Sequence, residues 1–438
     1  MKHVIKVINT LLFVTIVLIL SLSIGKKLGQ IRWSDEIEEL TGTNMTDSYS
    51  VSETSDKGER TSDPIDVEKP TNDLNAKPTE KEVSGNPDLA EKPSDSAILA
   101  LSSEQSGYYY LKLDQTKRQT YLEMLYAITN FRDVTLSTVN EADLQDTFQL
   151  LLLDHPEVFY SRNYSYVKYK LGAKVTSIVF QPSFTMTEDE AKSLTSEMEK
   201  ELDAIVQGAP AVASDYEKVK YVTEYIVFST TYDKSVEDAN NPATLLLKHR
   251  GTCGGYSALT QLLLTRLGVQ TTTVIGDATN REGTDAHAWN LVKVSGLYYH
   301  HDVTWCDMDF SEGDSDGYPL GDAMNYRYFL VTTKDILQNH TIDHKEYVPE
   351  VTATMDNYFV REGLYFTTFD PEVLAAAVQR QKDAGKSCVQ FLCSDAEVYR
   401  QFYDHLLTES HIFDYVNDPT VSGHYMSEES ENWILFWF

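Results

Sequence analysis

The chain has 438 residues, a formal net charge of −30 and four cysteines. So acidic a balance argues against nucleic acid or an anionic membrane surface as a partner. Four cysteines with no Cys-x-x-Cys pair argue against a disulfide scaffold or a structural zinc site.

Residues 1–6 are a short tail carrying Lys2, His3 and Lys6, and residues 7–25 are 19 almost uninterrupted apolar positions closed by Lys26 and Lys27. At about 1.5 Å per residue, a helix of that length approaches the hydrocarbon thickness of a bilayer. The segment reads as a retained transmembrane signal anchor, with a cleaved and secreted form as the alternative. The short tail before it and the long polar stretch after it put the rest of the chain outside the cytoplasm, at the cell surface. Residues 26–106 then read as a disordered acidic stalk. From Trp33 to Gln105 there are 18 Asp and Glu against 6 Lys and Arg, with few large apolar residues to offset the entropy of ordering.

Residues 107–208 read as a small α+β unit. Helical periodicity runs over Asp114–Asn130, Asp143–Leu153 and Thr187–Val206, with alternating strand-like runs at Tyr164–Leu171 and Lys174–Pro182. The run Asp154-His-Pro-Glu157 is a turn after a helix rather than a metal set.

Residues 209–345 hold the chemistry. Cys253 lies in Arg250-Gly-Thr-Cys-Gly-Gly-Tyr-Ser257, directly before a helix whose apolar positions are Tyr256, Leu259, Leu262, Leu263 and Leu267. Gly251, Gly254 and Gly255 permit a tight turn there, and the sulfur at the helix N-terminus meets unpaired N–H groups that favour a thiolate and hold an oxyanion. Ala286–Val294 and Leu297–Val303 read as strands joined by Ser295-Gly296. If Val294 pairs with Leu297, Asp302 faces Trp289 and lies diagonal to His287. If the turn tightens by one residue, Asp302 faces His287 directly. In both registers His287 and Asp302 share one sheet face, so Asp302 can fix the imidazole that takes the thiol proton.

These segments, Gly251-Thr-Cys-Gly-Gly-Tyr-Ser257, His287-Ala-Trp-Asn290 and Tyr299-His-His-Asp-Val-Thr-Trp305, resemble the three core motifs of the transglutaminase-like superfamily. The stretch from Ser214 to Asp233 is similar to the helix that precedes that core in bacterial members. The resemblance implies a papain-like cysteine fold, with a nucleophile helix packed on an antiparallel sheet, and Cys253 as nucleophile, His287 as base and Asp302 as orienter. The superfamily includes protein-crosslinking acyltransferases, peptidases, amidases and proteins without activity. A side-chain oxyanion donor is not evident; Tyr232 is the candidate, against a half-buried strand aromatic. Gly254 adjoins the sulfur, and Trp289 and Trp305 wall the cleft or pack in the core.

After the catalytic strand, Asp307, Asp309 and Asp314 belong to an acidic loop. Its alternatives are a plain solvated loop and an oxygen-rich calcium site, although its glycine and glutamate are misplaced for an EF-hand. His300 and His301 alternate to opposite faces and so do not form a metal pair. Residues 346–438 alternate strand and helix over Gly363–Phe369, Pro371–Lys382, Ser387–Cys393, Asp395–Leu407 and Trp433–Phe438, an α/β appendage. Cys388 and Cys393 point to opposite faces of one strand and do not pair.

The expected fold is therefore α+β: a papain-like core with an α+β unit before it and an α/β domain after it. The expected function is an extracytoplasmic membrane-anchored cysteine enzyme that forms an acyl-enzyme from a protein or peptide amide and passes the acyl group to an amine or water. It needs no cofactor. A cysteine peptidase or cell-wall amidase with the same residues, and a non-catalytic surface scaffold, are the alternatives.

Overall fold

Among the described residues, four small sheets and the helices between them build a mixed α+β structure. The computed structural model describes residues 78–84, 90–280, 283–308, 323–416 and 425–438. The apolar run at 7–25 lies outside them, and among the described residues no helix is long and apolar enough to cross a membrane.

The first sheet has the order β1-β3-β4-β2, from β1 (Thr79–Ser84), β2 (Val134–Thr135), β3 (Ser161–Leu171) and β4 (Lys174–Phe184). β3 and β4 form an antiparallel hairpin that turns at Gly172, whose φ of 63° suits glycine. Helices Gln115–Thr129 and Leu144–Asp154 pack on it and helix Glu188–Gly208 follows it to lie against the helix Cys253–Arg266, all at the positions that periodicity indicates. The last begins with a reciprocal Thr187–Glu190 capping box.

The expected stalk is corrected at its C-terminal end. Thr79–Ser84 pairs in parallel with Ser165–Lys170 of β3, and Asp95–Glu104 is a helix capped by Ser94. Composition misleads here because the acidic side chains have counterions. Lys168, buried on β3, meets Glu80 at 2.5 Å, Glu82 at 3.3 Å and Glu141 at 2.7 Å. A buried ammonium needs such partners, and the strand supplies two of them. The Asp154-His-Pro-Glu157 turn is a 3-10 turn at Pro156–Val158, and Asp154 accepts from Tyr109 N (3.0 Å) and Tyr110 N (2.8 Å). It thereby pins the start of this unit.

β5 (Thr231–Tyr232) and β6 (Arg250–Gly251) pair in parallel just before helix Cys253–Arg266. Behind that helix stands an antiparallel sheet in the order β7-β8-β9, from β7 (Thr271–Asn280), β8 (Gly283–Val294) and β9 (Leu297–His301). The fourth sheet, β10-β11-β13-β12, comprises β10 (Tyr365–Phe366), β11 (Cys388–Cys393), β12 (Tyr425–Glu428) and β13 (Trp433–Trp437). All four cysteines are buried and free.

One cluster of buried apolar side chains runs from Tyr108 through the helix Cys253–Arg266 to Trp437. Hydrogen bonds tie the early segment to the later ones: Tyr109 donates to Thr273 O on β7 at 2.8 Å, and Tyr108 donates to Tyr347 O at 2.7 Å. The segment from Tyr108 onward is thus built into the same core as the sheet that carries His287.

Candidate active site

Helix Cys253–Arg266 is buried on nearly all sides, Ser257, Thr260 and Gln261 included, so it is a central helix rather than one with a single apolar face. Its N-cap residue, Thr252, does not cap it; the hydroxyl donates instead to Asn240 Oδ1 at 2.5 Å. The first-turn N–H groups, with the positive end of the helix dipole, are left without a side-chain cap beside the Cys253 sulfur. The glycines serve a different purpose from the expected turn, since none of the three has a positive φ. They admit close approach: a Cβ at Gly251 would meet Ala239 O at 2.8 Å, and one at Gly254 would meet Asn240 Oδ1 at 2.7 Å.

Ser295 and Gly296 both lie in the left-handed region, at φ 52° and 84°, as a two-residue hairpin turn of matching twist requires. Val294 therefore pairs with Leu297 and Asn290 with His301, the first of the two registers. β9 stops at His301, short of the expected Val303, because Asp302 becomes the N-cap of a short helix, Val303–Cys306. Its Oδ1 accepts from Trp305 N at 3.2 Å. Its Oδ2 accepts from His287 Nε2 at 2.7 Å. His287 also hydrogen-bonds Cys253. With Nε2 committed to the carboxylate, Nδ1 is the nitrogen left for the sulfur.

The three side chains are buried: Cys253 is 7% exposed, His287 4% and Asp302 0%. Burial pulls the pKa of His287 down, but the Asp302 charge, its hydrogen bond and the Cys253 contact outweigh that and push it up to about 10. Burial works against the Asp302 charge too, yet His287 and His340 hold its carboxyl well below the usual range. Trp289 stacks on the His287 ring at 6.1 Å, and Trp305 meets it edge-on at 6.2 Å. Both indoles are nearly buried and pack the base from two sides. Tyr232 lies on β5 beside Gly251 and packs on Tyr256 with ring centroids 6.2 Å apart.

His340 belongs to this site and went unrecognised in the sequence. Its Nε2 lies 3.1 Å from the same Asp302 Oδ2, and its ring packs 5.2 Å from His287 and 4.9 Å from Trp305. The Asn339 side chain lies 2.6 Å from its Nδ1 and 2.6 Å from the Tyr328 hydroxyl, which extends the network outward. His340 arrives because its segment runs along β7: Thr341 N donates to Asp277 O and Asp343 N to Ile275 O. That contact needs Gly276, where a Cβ would stand 1.9 Å from Thr341 O. A lone glycine inside a strand marks such an approach, and it is the one signal that pointed here.

Among the described residues, His287, Asp302 and His340 form one set of closely spaced metal-capable donors, and His405, Glu409 and His411 form another. In the first, the ring N–H groups are spent on the carboxylate. In the second, the two imidazoles stack in near-parallel planes 4.4 Å apart, a poor arrangement for converging lone pairs. Of the acidic loop, Asp307 is buried and accepts from the Tyr256 hydroxyl at 3.0 Å, so it does not face solvent; Asp309 and Asp314 lie outside the described residues. His300 and His301 diverge as alternation requires. His300 Nδ1 accepts from Trp289 Nε1 at 3.1 Å, and His301 Nε2 meets Thr223 Oγ1 at 2.9 Å.

Residues 203–310 match the family model of the transglutaminase-like superfamily. The chain carries a transglutaminase-like domain. Solved structures similar to it include a TGase, at 14% identity over 36% of this chain and 55% of that one, with a TM-score of 0.25. Another is a candidate cysteine protease from Cytophaga hutchinsonii, at 14% identity over 32% of this chain and 62% of that one, with a TM-score of 0.23. A third is a candidate protease from Parabacteroides distasonis, at 12% identity over 32% and 39%, with a TM-score of 0.18. The chain spans between about two fifths and three fifths of these proteins. No curated protein matches it. The transglutaminase-like domain supports a cysteine-based enzyme in general terms, and its bounds include Cys253, His287 and Asp302 but not His340.

Proposed function

We propose that the protein is a membrane-anchored extracytoplasmic cysteine enzyme that takes the acyl group of a protein or peptide amide onto Cys253 and hands it to an amine or to water. The observation that carries this reading is the buried bridge His287 makes between Cys253 and the Asp302 carboxylate.

In this reading the thiol proton resides on His287, because a cationic imidazole beside sulfur favours the thiolate and Asp302 stabilises the cation. The sulfur attacks the amide carbonyl, and the oxyanion forms against the uncapped first-turn N–H groups of the nucleophile helix. His287 then gives its proton to the leaving amine as the C–N bond breaks, and a thioester remains. An incoming amine or water loses its proton to His287 as it attacks the thioester, and the thiolate is expelled. The apolar run at 7–25 is the proposed anchor, with the enzyme outside.

The test uses residues 67–438, since cutting at 106 would remove β1 and the helix Asp95–Glu104. Incubation with a glutamine-containing protein and a labelled primary amine is expected to incorporate label in a Cys253-dependent way if the acceptor is an amine. Peptide fragments without incorporation assign hydrolysis instead. If iodoacetamide labels Cys253 slowly and at the same rate in His287→Ala, the chain is a scaffold and not an enzyme. Protease shaving of intact cells checks the orientation: loss of the catalytic region places it outside, and protection refutes that.

A further inference from the structure

A cavity of about 410 Å³ opens beside the parallel strands β10 and β11, where the chain leaves each strand for the helices Pro371–Asp383 and Ala396–Tyr403. In open α/β sheets, the crevice outside the carboxyl ends of the strands is where ligands bind. Tyr365 of β10, Leu392 and Cys393 of β11 and Ser394 after it form one wall. The chain between β9 and β10, from Arg327 to Val360, forms the other, and Ser430 to Asn432, just before β13, complete it. The volume falls in the range of roughly 300–1,000 Å³ that small-molecule sites occupy. Cys253, His287 and Asp302 do not line it, so it is separate from the proposed active site. Tyr328 and Asn339 on its wall nevertheless begin the hydrogen-bonded chain that reaches Asp302 through His340.

The charges on the wall balance, with Arg327 and Lys334 against Asp335 and Glu431. Arg327 is paired with Glu431 at 2.8 Å, and Asp335 is tied to the Thr332 hydroxyl at 2.6 Å as part of a helix cap. In a chain of formal charge −30, so balanced a site suits an uncharged ligand, which has no ionic hydration to lose on entry. Three polar side chains stand ready for it. Gln338 and Thr354 are exposed and Tyr365 is 39% exposed, and none of the three side chains has a hydrogen-bond partner among the described residues. One amide and two hydroxyls both donate and accept, so they match a ligand with several hydroxyl groups better than a lone carboxylate or ammonium. The Tyr365 ring and Val360, which is 41% exposed, add an apolar surface for the C–H face of a ring, and buried Phe359 adjoins them in the wall.

We infer that this cavity binds a short uncharged saccharide, its ring face on Tyr365 and its hydroxyl groups on Gln338 and Thr354. The assignment gives the C-terminal domain a binding role of its own, and it stands whether or not Cys253 is a nucleophile.

The test titrates the full chain, in a sugar-free detergent at pH 6, and reads Kd by ligand-observed NMR. The uncharged probes are diacetylchitobiose and cellobiose. Chitobiose supplies a cationic disaccharide, digalacturonate an anionic one, and acetyl-trialanine amide an uncharged ligand without a sugar ring. At least one uncharged disaccharide is expected to bind with a Kd below about 1 mM, and about 10-fold or more tighter than the last three probes. Binding of diacetylchitobiose alone assigns an acetylated amino sugar, and equal binding of cellobiose assigns recognition through hydroxyl groups. Tyr365→Ala should weaken binding by at least about 10-fold, through loss of the ring and the hydroxyl together. Tyr365→Phe, Gln338→Ala and Thr354→Val should each weaken it by about 3- to 10-fold, the worth of one hydrogen bond. Leu171→Ala, at the β3–β4 turn outside the cavity, should leave Kd unchanged. No binding of either uncharged disaccharide at about 10 mM, by a chain whose melting transition is intact, would overturn the assignment. Tighter binding of a charged disaccharide or of the peptide amide overturns it as well. So does saccharide binding that survives Tyr365→Ala combined with Gln338→Ala.

Discussion

Two neighbouring strands of one small sheet hold buried histidines whose chemistry has gone in opposite directions. At His300 and His301 the rings hydrogen-bond only neutral groups, and burial, which the Asp302 charge near His301 does not offset, pulls their pKa values down to about 3. At His287, equally buried, the same penalty is overcome by Asp302, and the pKa stands near 10. Burial alone makes a histidine a neutral packing residue. Burial with a carboxylate on the ring makes it a proton carrier.

The largest expected effect comes from erasing that difference at its centre. His287→Ala should lower turnover by roughly 10⁵-fold, measured as Cys253-dependent amide consumption, since members of such a unit lose nearly everything singly. His300→Gln, which leaves the proton carrier in place, should lower it by less than about 10-fold if it packs and does not react. Parity between the two variants would abolish the distinction.

Next in size is Asp302→Asn, which preserves shape and removes charge. Turnover is expected to fall by about 10⁴-fold. The His287 pKa, read by NMR of the ring, should drop to 6.5 or below, where its sheet neighbours lie. A pKa that stays high would mean that Asp302 is not its cause.

His340→Ala is a finer probe, because it removes one of the two histidines on Asp302 Oδ2. A charge-assisted hydrogen bond of about 1.5–3 kcal/mol corresponds to roughly 10- to 100-fold in turnover. With one donor fewer, the carboxylate pulls harder on His287, so the ring pKa should rise while turnover falls. A merely structural role would lower stability without moving that pKa.

The smallest effect is on stability, where the two environments should show opposite pH slopes. His300 and His301 bind protons more readily when unfolded, so their contribution is complete above about pH 6.5 and is lost as pH falls toward about 3. His287 has a raised folded pKa, so its contribution is complete below about pH 6.5 and is lost as pH rises toward about 10. Melting curves should therefore flatten on the acid side in His300→Gln and on the alkaline side in His287→Gln. Identical profiles for the two would remove the contrast.

Much of the site was legible along the chain. The spacing of Cys253 before a helix and the odd pairing sum of β8 and β9 place His287 and Asp302 on one face in either of the two registers the Ser295-Gly296 turn allows. The helices at Gln115–Thr129 and Pro371–Asp383 and the strand Cys388–Cys393 also lie within a residue of where periodicity puts them. What escaped was set by distant backbone. Asp302 leaves the strand to cap a helix because Tyr328 O takes its N–H at 3.0 Å, and β1 orders because Lys168 awaits its glutamates.

Local chemistry thus determined the reactive types, their order and the shared sheet face, since alternation and helix onset depend on a few adjacent residues. Only the tertiary structure decided that His340 closes on Asp302 and that Leu153 and the turn Pro156–Val158 lie against the nucleophile helix. Those meetings depend on how separate elements stack, and no short-range periodicity encodes that.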